Sequence, residues 1–467
     1  MRMRNLAHIG VGNFHRSHQA EYFHQLNELS SGQEQWNIVG ISLLARDEAL
    51  LSILAKQDYQ YHLVKRAPDG AESVTRIEAI QEIIFAHKDY ARTIDFLASQ
   101  TTEIISFTIT EGAYLVDQKS TQLDWQHPDL IHDVQHLEQP RTIFGYLYNA
   151  LSKRRQLHGC GVTLMSCDNV RHNGLVLNRA LHEFVSKVDT DLADWILAEV
   201  SFPSTMVDRI TPAASVLDQQ HLKRKYGIED AAPVVSEMFR QWVVEDNFRY
   251  SRPDLDKVGV IFTPDVSPFE DLKIKLLNGG HSSLAYLASL AGYEFVHEAI
   301  ADEALRNFVK SYMQLDARPC LKSTPGIDVD EYIDTLLERF ANASIADKVE
   351  RLCADGISKL CNFLMPVTKA SLKSGRSLER LAMVYAAYYL YLKRAVQTND
   401  PGNYPIYEPQ SDNQTLQNYS QNLSLLLQRL GVADKQSVLL DQVADCIQNI
   451  EQSSVTEVLK NEVVTHV

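Results

Sequence analysis

The alternation of apolar and polar residues changes character once along the chain. In the first half, short apolar runs alternate with segments of helical period. Residues 6–10 read as a strand, 16–29 as a helix, 36–44 as a strand and 47–56 as a helix. Two further runs, 104–110 and 161–167, read as strands. Short buried strands separated by helices predict a parallel sheet with crossover helices. From Leu272 onward helical period dominates and strand patterns almost vanish. Helices are predicted over 272–291, 301–315, 329–339, 371–394 and 414–430, and a surface loop over 397–411, which holds three prolines and a glycine. The expected class is α/β, with a mostly parallel sheet in residues 1–270 and a largely α-helical domain in residues 271–467.

Length and charge narrow the functional classes. A chain of 467 residues exceeds what one hydrophobic core usually spans, so two domains are expected. Acidic residues outnumber basic ones 60 to 45. Such a surface repels phosphate backbones, which argues against a nucleic-acid partner and favours a neutral small-molecule substrate over an anionic one. The six cysteines, Cys160, Cys167, Cys320, Cys353, Cys361 and Cys446, form no C-x-x-C pair, as expected of free thiols in a reducing compartment. No apolar signal region opens the chain and no apolar stretch reaches a membrane span, so no membrane partner and a cytoplasmic location are expected.

The first strand runs into Gly10-Val11-Gly12-Asn13-Phe14-His15. Two glycines at such a turn let the backbone approach a pyrophosphate, and the following helix offers N–H donors. The third glycine of the usual fingerprint is replaced by His15, and a tight structural turn is the alternative reading. After the second strand comes Arg46-Asp47. Asp47 suits the ribose 2′-hydroxyl and repels a 2′-phosphate, whereas Arg46 can pair with one. NAD is therefore expected as preferred cofactor, with NADP tolerated.

The densest chemistry lies in Asp271-Leu-Lys273-Ile-Lys275-Leu-Leu-Asn278-Gly-Gly-His281. At about 100° per residue, Lys273, Asn278 and His281 share one broad helix face, while Ile274, Leu277, Leu284 and Leu287 can pack into a core. Oxidising a secondary alcohol requires a base for the hydroxyl proton and donors for the charge developing on oxygen. A lysine serves if burial lowers its pKa, asparagine amides can donate, and a histidine can hold the hydroxyl or relay a proton. The alternatives are a solvated lysine, which is the reading for Lys275, a helix irregularity at Asn278-Gly-Gly, and a satisfied core histidine. A second cluster runs from Ser166 to Gly174 at a strand end, where Asn169 can be another oxyanion donor and Asp168 a helix cap. In a third, Asp208 and Arg209 can form an ion pair in a loop. There is no HExxH, no paired cysteines and no G-x-S-x-G elbow, so neither a metal site nor a serine hydrolase is expected.

Taken together, IGVGNFHRSHQAEY from Ile9, SFTITEGAYLVD from Ser106, SCDNVRHNG from Ser166, FPSTMVDRITP from Phe202, QWVVEDNF from Gln241, SPFEDLKIKLLNGGHSSLAYL from Ser267, SYMQLDARPCL from Ser311 and RLCADGISK from Arg351 resemble the polyol-specific long-chain dehydrogenase/reductase family over nearly the whole chain. The resemblance implies a Rossmann-type N-terminal domain, a helical C-terminal domain, an active site between them and a metal-independent mechanism in a monomer. It implies Lys273 as general base, Asn169 and Asn278 as oxyanion hole, His281 orienting the hydroxyl, and Glu270 gating the proton's route to water. It further implies Asp208, Arg351 and Lys359 as substrate contacts and Asp47 as the NAD-selecting acid. The implied reaction is D-mannitol to D-fructose. Oxidation of D-arabinitol to D-xylulose and reduction of a hexuronate are the alternatives, and a nucleotide-binding protein without turnover is the reading from another class. The sequence departs from the family at Ala113, where TEGGY is usual, and at Arg46, where many members carry an acid.

Overall fold

The computed structural model describes residues 4–30, 35–117, 122–250, 252–398, 408, 411–432 and 437–464. The strands are β1 (Arg4–Ile9), β2 (Trp36–Ser42), β3 (Tyr61–Arg66), β4 (Glu72–Ile77), β5 (Ile80–Phe85), β6 (Thr102–Phe107), β7 (Thr163–Ser166), β8 (Thr205–Asp208), β9 (Val234–Glu237), β10 (Gln241–Glu245) and β11 (Ile261–Thr263). The chain divides into two compact units, one of residues 1–66 and 71–267, the other of 67–70 and 268–467.

The first unit is built on a five-stranded sheet in the order β5-β2-β1-β6-β7, parallel throughout. Its strands are apolar on both faces because both are covered. Alternate residues go to opposite sides. Ala7, Ile105 and Leu164 pack on one side with Leu97, Leu147 and Leu181, from the helices Tyr90–Ala98, Ile143–His158 and Asn173–Val188. Leu6, Ile104 and Met165 pack on the other side with Phe23 and Leu54, from the helices Gln19–Leu29 and Glu48–Lys56. The chain leaves β1 toward β2 and β5, then returns to add β6 and β7 on β1's other flank. The reversal makes the C-terminal ends of β1 and β6 the topological switch point, the place where open α/β sheets bind ligands.

Two small mixed sheets, β4-β3-β9 and β11-β10-β8, complete this unit. Neither is among the strands expected from the sequence. Their apolar residues Leu63, Val234, Trp242 and Val244 extend one side of the main core.

In the second unit no strand occurs among the described residues, and the core is helical. The helix Glu379–Thr398 runs through it, with Leu381 to Tyr388 buried without interruption, as expected of a helix surrounded by others. Several predicted helices are broken. The one expected over 371–394 is two, because Gly375 takes φ +67° and ends the helix Met365–Ser374. The one expected over 414–430 is also two. Asn422 accepts from the Leu425 N–H at 3.0 Å and starts the helix Leu423–Leu430 afresh. Most of the loop expected over 397–411 lies outside the described residues.

Among the described residues no helix is long and apolar enough to cross a membrane. No group of three or more His, Cys, Asp or Glu there could hold a metal ion. All six cysteines are free thiols.

Candidate active site

In the first unit the turn after β1 is constrained on every side. Gly10 has φ +99°, and a Cβ there would lie 2.2 Å from the Thr108 carbonyl oxygen, so only glycine fits. Val11 is buried above Gly40 of β2, where a Cβ would come within 2.6 Å of the valine. Gly12 is exposed, and the space a Cβ would occupy is open. A ligand's phosphates can approach the backbone there. Asn13 and Phe14, both half-buried, open the helix Asn13–Ser17, which breaks at His18 before Gln19–Leu29 begins. The single helix expected over 16–29 therefore starts earlier and is interrupted. Asn13 is held by the buried Arg16, which donates to its Oδ1 at 2.6 Å.

His15, in place of the fingerprint's third glycine, is fully buried and stacks on His8, with ring centroids 3.4 Å apart. His8 is within hydrogen-bond distance of Ser106 Oγ and Thr108 Oγ1, 2.8 Å each. Burial holds the His8 imidazole down to about 3 and His15 well below its ordinary value. A neutral aromatic pair thus fills the space beneath the loop.

Arg46 and Asp47 lie in a short 3₁₀ turn, Ala45–Asp47, after β2. Arg46 is exposed, while Asp47 is half-buried and accepts from the Ser42 hydroxyl at 2.7 Å. That bond fixes the carboxylate at the strand's C-terminal end, the place from which a ribose diol is gripped.

The loops after β6 and β7 carry the second cluster. Asp168 is buried and does not cap a helix. Its carboxylate accepts from the Thr110 N–H at 2.8 Å and from the Tyr114 hydroxyl at 2.8 Å. Burial pushes the Asp168 carboxyl up to about 6. Thr110 has φ +73° and ψ 158°, a region that β-branched residues avoid at a cost of about 1–3 kcal/mol. Asn169, the next residue after Asp168, is exposed. Ala113 does not have positive φ, so its departure from glycine brings no backbone strain. Asp208 is buried at the end of β8. Arg209 belongs to a buried network rather than to a simple loop ion pair. It meets Glu21 Oε2 at 2.6 Å, and Arg240 meets the same oxygen at 2.9 Å.

In the second unit the helix expected over 272–291 is three segments. An α-helix, Ser267–Leu272, leads into a π-helical turn, Lys273–Asn278, and then an α-helix, Gly279–Ala291. Lys273 opens the π turn and Asn278 closes it. Widening the backbone bond from i→i+4 to i→i+5 brings residues five apart closer to one face than a regular α-helix does. Glu270 and Lys273 are buried, and Asn278 is half-buried. Ile274 is only half-buried, whereas Leu272, Leu276, Leu277, Leu284 and Leu287 enter the core. Lys275 is not solvated. It pairs with Asp271 at 3.0 Å and donates to the Cys320 carbonyl at 2.9 Å.

The Gly279-Gly280 pair has a packing cause. A Cβ on either would lie 2.3 Å from a neighbour, the Tyr312 hydroxyl for Gly279 and the Met313 methyl for Gly280. Tyr312 Oη also donates to the Lys275 carbonyl at 3.1 Å, inside the π turn.

His281 stacks on Phe340, centroids 4.1 Å apart. Burial, with the charges of Arg351, Arg339 and Lys359 adding to it against Asp347, lowers its imidazole to about 3, so it is neutral at ordinary pH. Arg351 is clamped by Asp347 through two bonds, 2.6 and 2.5 Å. Burial raises the Asp347 carboxyl, but the Arg351 bonds outweigh it and leave the group below the usual carboxylate range. Lys359 Nζ donates to the carbonyls of Arg351 and Leu352 at 3.1 and 3.0 Å, and burial followed by the Arg351 charge lowers its pKa. His281, Arg351 and Lys359 thus share one electrostatic neighbourhood. Asp347 and Arg339 belong to it and escaped the sequence reading. A carboxylate four residues before Arg351 on a helical pattern was the available signal for Asp347.

Residues 4–257 match the mannitol dehydrogenase Rossmann domain, and residues 265–461 match the mannitol dehydrogenase C-terminal domain. The mannitol 2-dehydrogenase of Aspergillus fumigatus is 40% identical over 393 residues, 83% of this chain and 78% of that protein. The mannitol 2-dehydrogenase of Phaeosphaeria nodorum is 36% identical over 410 residues, 85% of this chain and 71% of that one. Among solved structures, the ternary complex of Pseudomonas fluorescens mannitol 2-dehydrogenase with NAD and D-mannitol aligns with TM-score 0.88 at 40% identity, covering 99% of this chain and 94% of that chain. A D-sorbitol dehydrogenase in substrate-free form aligns with TM-score 0.87 at 33% identity, covering 97% and 95%.

Proposed function

Because the chain belongs to the mannitol dehydrogenase family of oxidoreductases acting on CH–OH groups, we propose that it oxidises D-mannitol to D-fructose, reversibly, with NAD as hydride acceptor and Lys273 as general base. The observation that supports this reading best is a buried lysine at the head of a π-helical turn that closes on Asn278, with the neutral His281 three residues beyond. π turns inside α-helices recur at functional sites.

The first unit binds the nucleotide and the second supplies most of the substrate chemistry. The residues fit the cofactor. The open space at Gly12 admits phosphates, Gly10 fixes the turn, and Asp47, steadied by Ser42, receives the ribose diol. Val11, Asn13 and Phe14 complete the loop, and exposed Arg46 allows NADP as a poorer cofactor. NAD, when bound, supplies the hydride acceptor.

Lys273 Nζ takes the proton from the reacting hydroxyl. The amides of Asn169 and Asn278 donate to that oxygen as it gains negative charge. Neutral His281 holds the hydroxyl in orientation, and Glu270 passes the proton from Lys273 toward water. Asp208, Arg351 and Lys359 bind the remaining hydroxyls. No metal takes part, and the enzyme works as a cytoplasmic monomer.

The test is kcat/KM with NAD for D-mannitol, D-sorbitol and D-arabinitol, with identification of the ketose formed, and with NADH for D-fructose and D-fructuronate. D-Mannitol is expected to lead, and D-fructose to be the product. A lead for D-arabinitol or a hexuronate would overturn the substrate assignment. Added chelator is expected to leave the rate unchanged; inactivation would overturn the metal-free mechanism.

A further inference from the structure

The turn that presents Asn169 is pinned by one buried carboxylate for which the mechanism above has no use. Asp168 is the second residue after β7 and is 6% exposed, while Asn169 beside it is open to solvent. The Asp168 side chain reaches across to the neighbouring strand's loop. One oxygen accepts from the Thr110 N–H and the other from the Tyr114 hydroxyl, 2.8 Å each, and Tyr114 Oη also lies 2.6 Å from Ser166 Oγ.

The Asp168 main chain is fixed as firmly. Its carbonyl accepts from the Val170 N–H at 2.8 Å and from the Asn173 amide at 3.0 Å. Asn173 is itself locked onto β8 through the Thr205 N–H and carbonyl, 2.8 and 2.9 Å. Thr108, two residues before Thr110, donates to the Gly10 carbonyl at 2.7 Å. One connected set of bonds therefore spans the C-terminal ends of β1, β6 and β7 and reaches the first residue of β8, and Asp168 is its junction.

Such an arrangement costs more than a loop needs. Thr110 is held where essentially only glycine is at ease, and a carboxylate is buried to hold it. Strain of this kind persists only where surrounding bonds over-determine it, and it clusters where geometry must be exact for chemistry.

We propose that Asp168 is a positioning residue for alcohol oxidation: by tying the Thr110 backbone and Tyr114 to the turn after β7, it holds the Asn169 amide where the oxyanion forms. The inference rests on the oxyanion role given to Asn169 above. Asp168 touches neither substrate nor cofactor in this account and acts through its neighbour. A displaced donor loses most of its worth, since stabilisation depends on donors aimed beforehand at the developing charge.

The experiment measures kcat with D-mannitol and NAD, and the Kd of NADH by fluorescence, for Asp168→Ala, Asp168→Asn, Tyr114→Phe, Asn169→Ala and Asp168→Ala/Asn169→Ala. Asp168→Ala is expected to lower kcat by at least about tenfold while the Kd of NADH stays within about twofold, since the loop after β1 keeps its own bonds. Asp168→Asn is expected to recover most of the rate, because its amide oxygen still accepts from Thr110. Tyr114→Phe, which removes only a hydroxyl, is expected to fall between them and serves if Asp168→Ala does not fold.

The double variant decides the route. If Asp168 acts through Asn169, the pair costs no more than Asn169→Ala alone. Multiplied losses, an Asp168→Ala enzyme within about twofold of the parent rate, or NADH affinity lost in step with kcat would each overturn the proposal. Should Asn169→Ala itself run at the parent rate, the oxyanion reading fails and takes this inference with it. A slow Asn169→Ala beside a fast Asp168→Ala sinks the inference alone.

Discussion

Individual side chains carry most of the chemistry, and their environments decide their roles. Asp47 keeps one oxygen engaged by Ser42, so the grip on a ribose diol proposed for it depends on a strand-end serine as much as on its own charge. Replacing it with serine removes the repulsion of a 2′-phosphate while Arg46 remains to attract one. Asp47→Ser is therefore expected to lower the NAD/NADP ratio of kcat/KM by roughly tenfold or more, about 1.4 kcal/mol; an unchanged ratio would remove Asp47 from cofactor selection. Residue types at this scale were readable from the sequence, but their partners were not. Lys275 looked solvated and instead pairs with Asp271, and Asp168 looked like a cap and instead crosses to Thr110. Both partnerships depend on where other segments fold, which spacing along the chain cannot express.

At the scale of elements, the π turn Lys273–Asn278 is the feature a 100° wheel could not show, because the wheel assumes the regular turn that the segment abandons. The facing side chain, Tyr312, bonds the Lys275 carbonyl inside the turn and leaves no room for a Cβ on Gly279. Gly279→Ala offers a direct check. Helix propensity alone would stabilise by about 1 kcal/mol, but a methyl 2.3 Å from a buried, bonded hydroxyl forces overpacking that typically costs about 1–3 kcal/mol. A net fall in Tm is expected, partly reversed by adding Tyr312→Phe; a rise in Tm for Gly279→Ala would show that the close approach does not hold the turn. Four strands of the main sheet, β1, β2, β6 and β7, were legible because their continuous apolar runs leave few other readings. The mixed sheets β4-β3-β9 and β11-β10-β8 were not, since half-polar edges such as Glu72–Ile77 give weak periods. Helix ends failed where a single residue stops the helix, as Gly375 and Asn422 do.

For the whole molecule, buried neutral histidines set an acid limit. His8, His18 and His281 are each lowered to about 3, chiefly by burial, and His15 lies well below its ordinary value. The unfolded chain takes up these protons near pH 6.5, whereas the folded one does not. Unfolding therefore binds protons, and stability is full above about pH 6.5 and is lost progressively as pH falls toward 3. Tm is expected to decline steadily from pH 6.5 to 4.5 in a series at fixed ionic strength; a flat profile would mean that these imidazoles protonate in the folded state. The proposed nucleotide loop belongs to one unit and the proposed base, Lys273, to the other. The most direct test of that division is the pair of constants measured for Lys273→Ala at neutral pH. The account predicts that kcat for D-mannitol oxidation falls by about 10²–10⁴-fold, the usual worth of a general base, while NADH binds as before. A loss smaller than about tenfold, or ~1.4 kcal/mol of barrier, would contradict it.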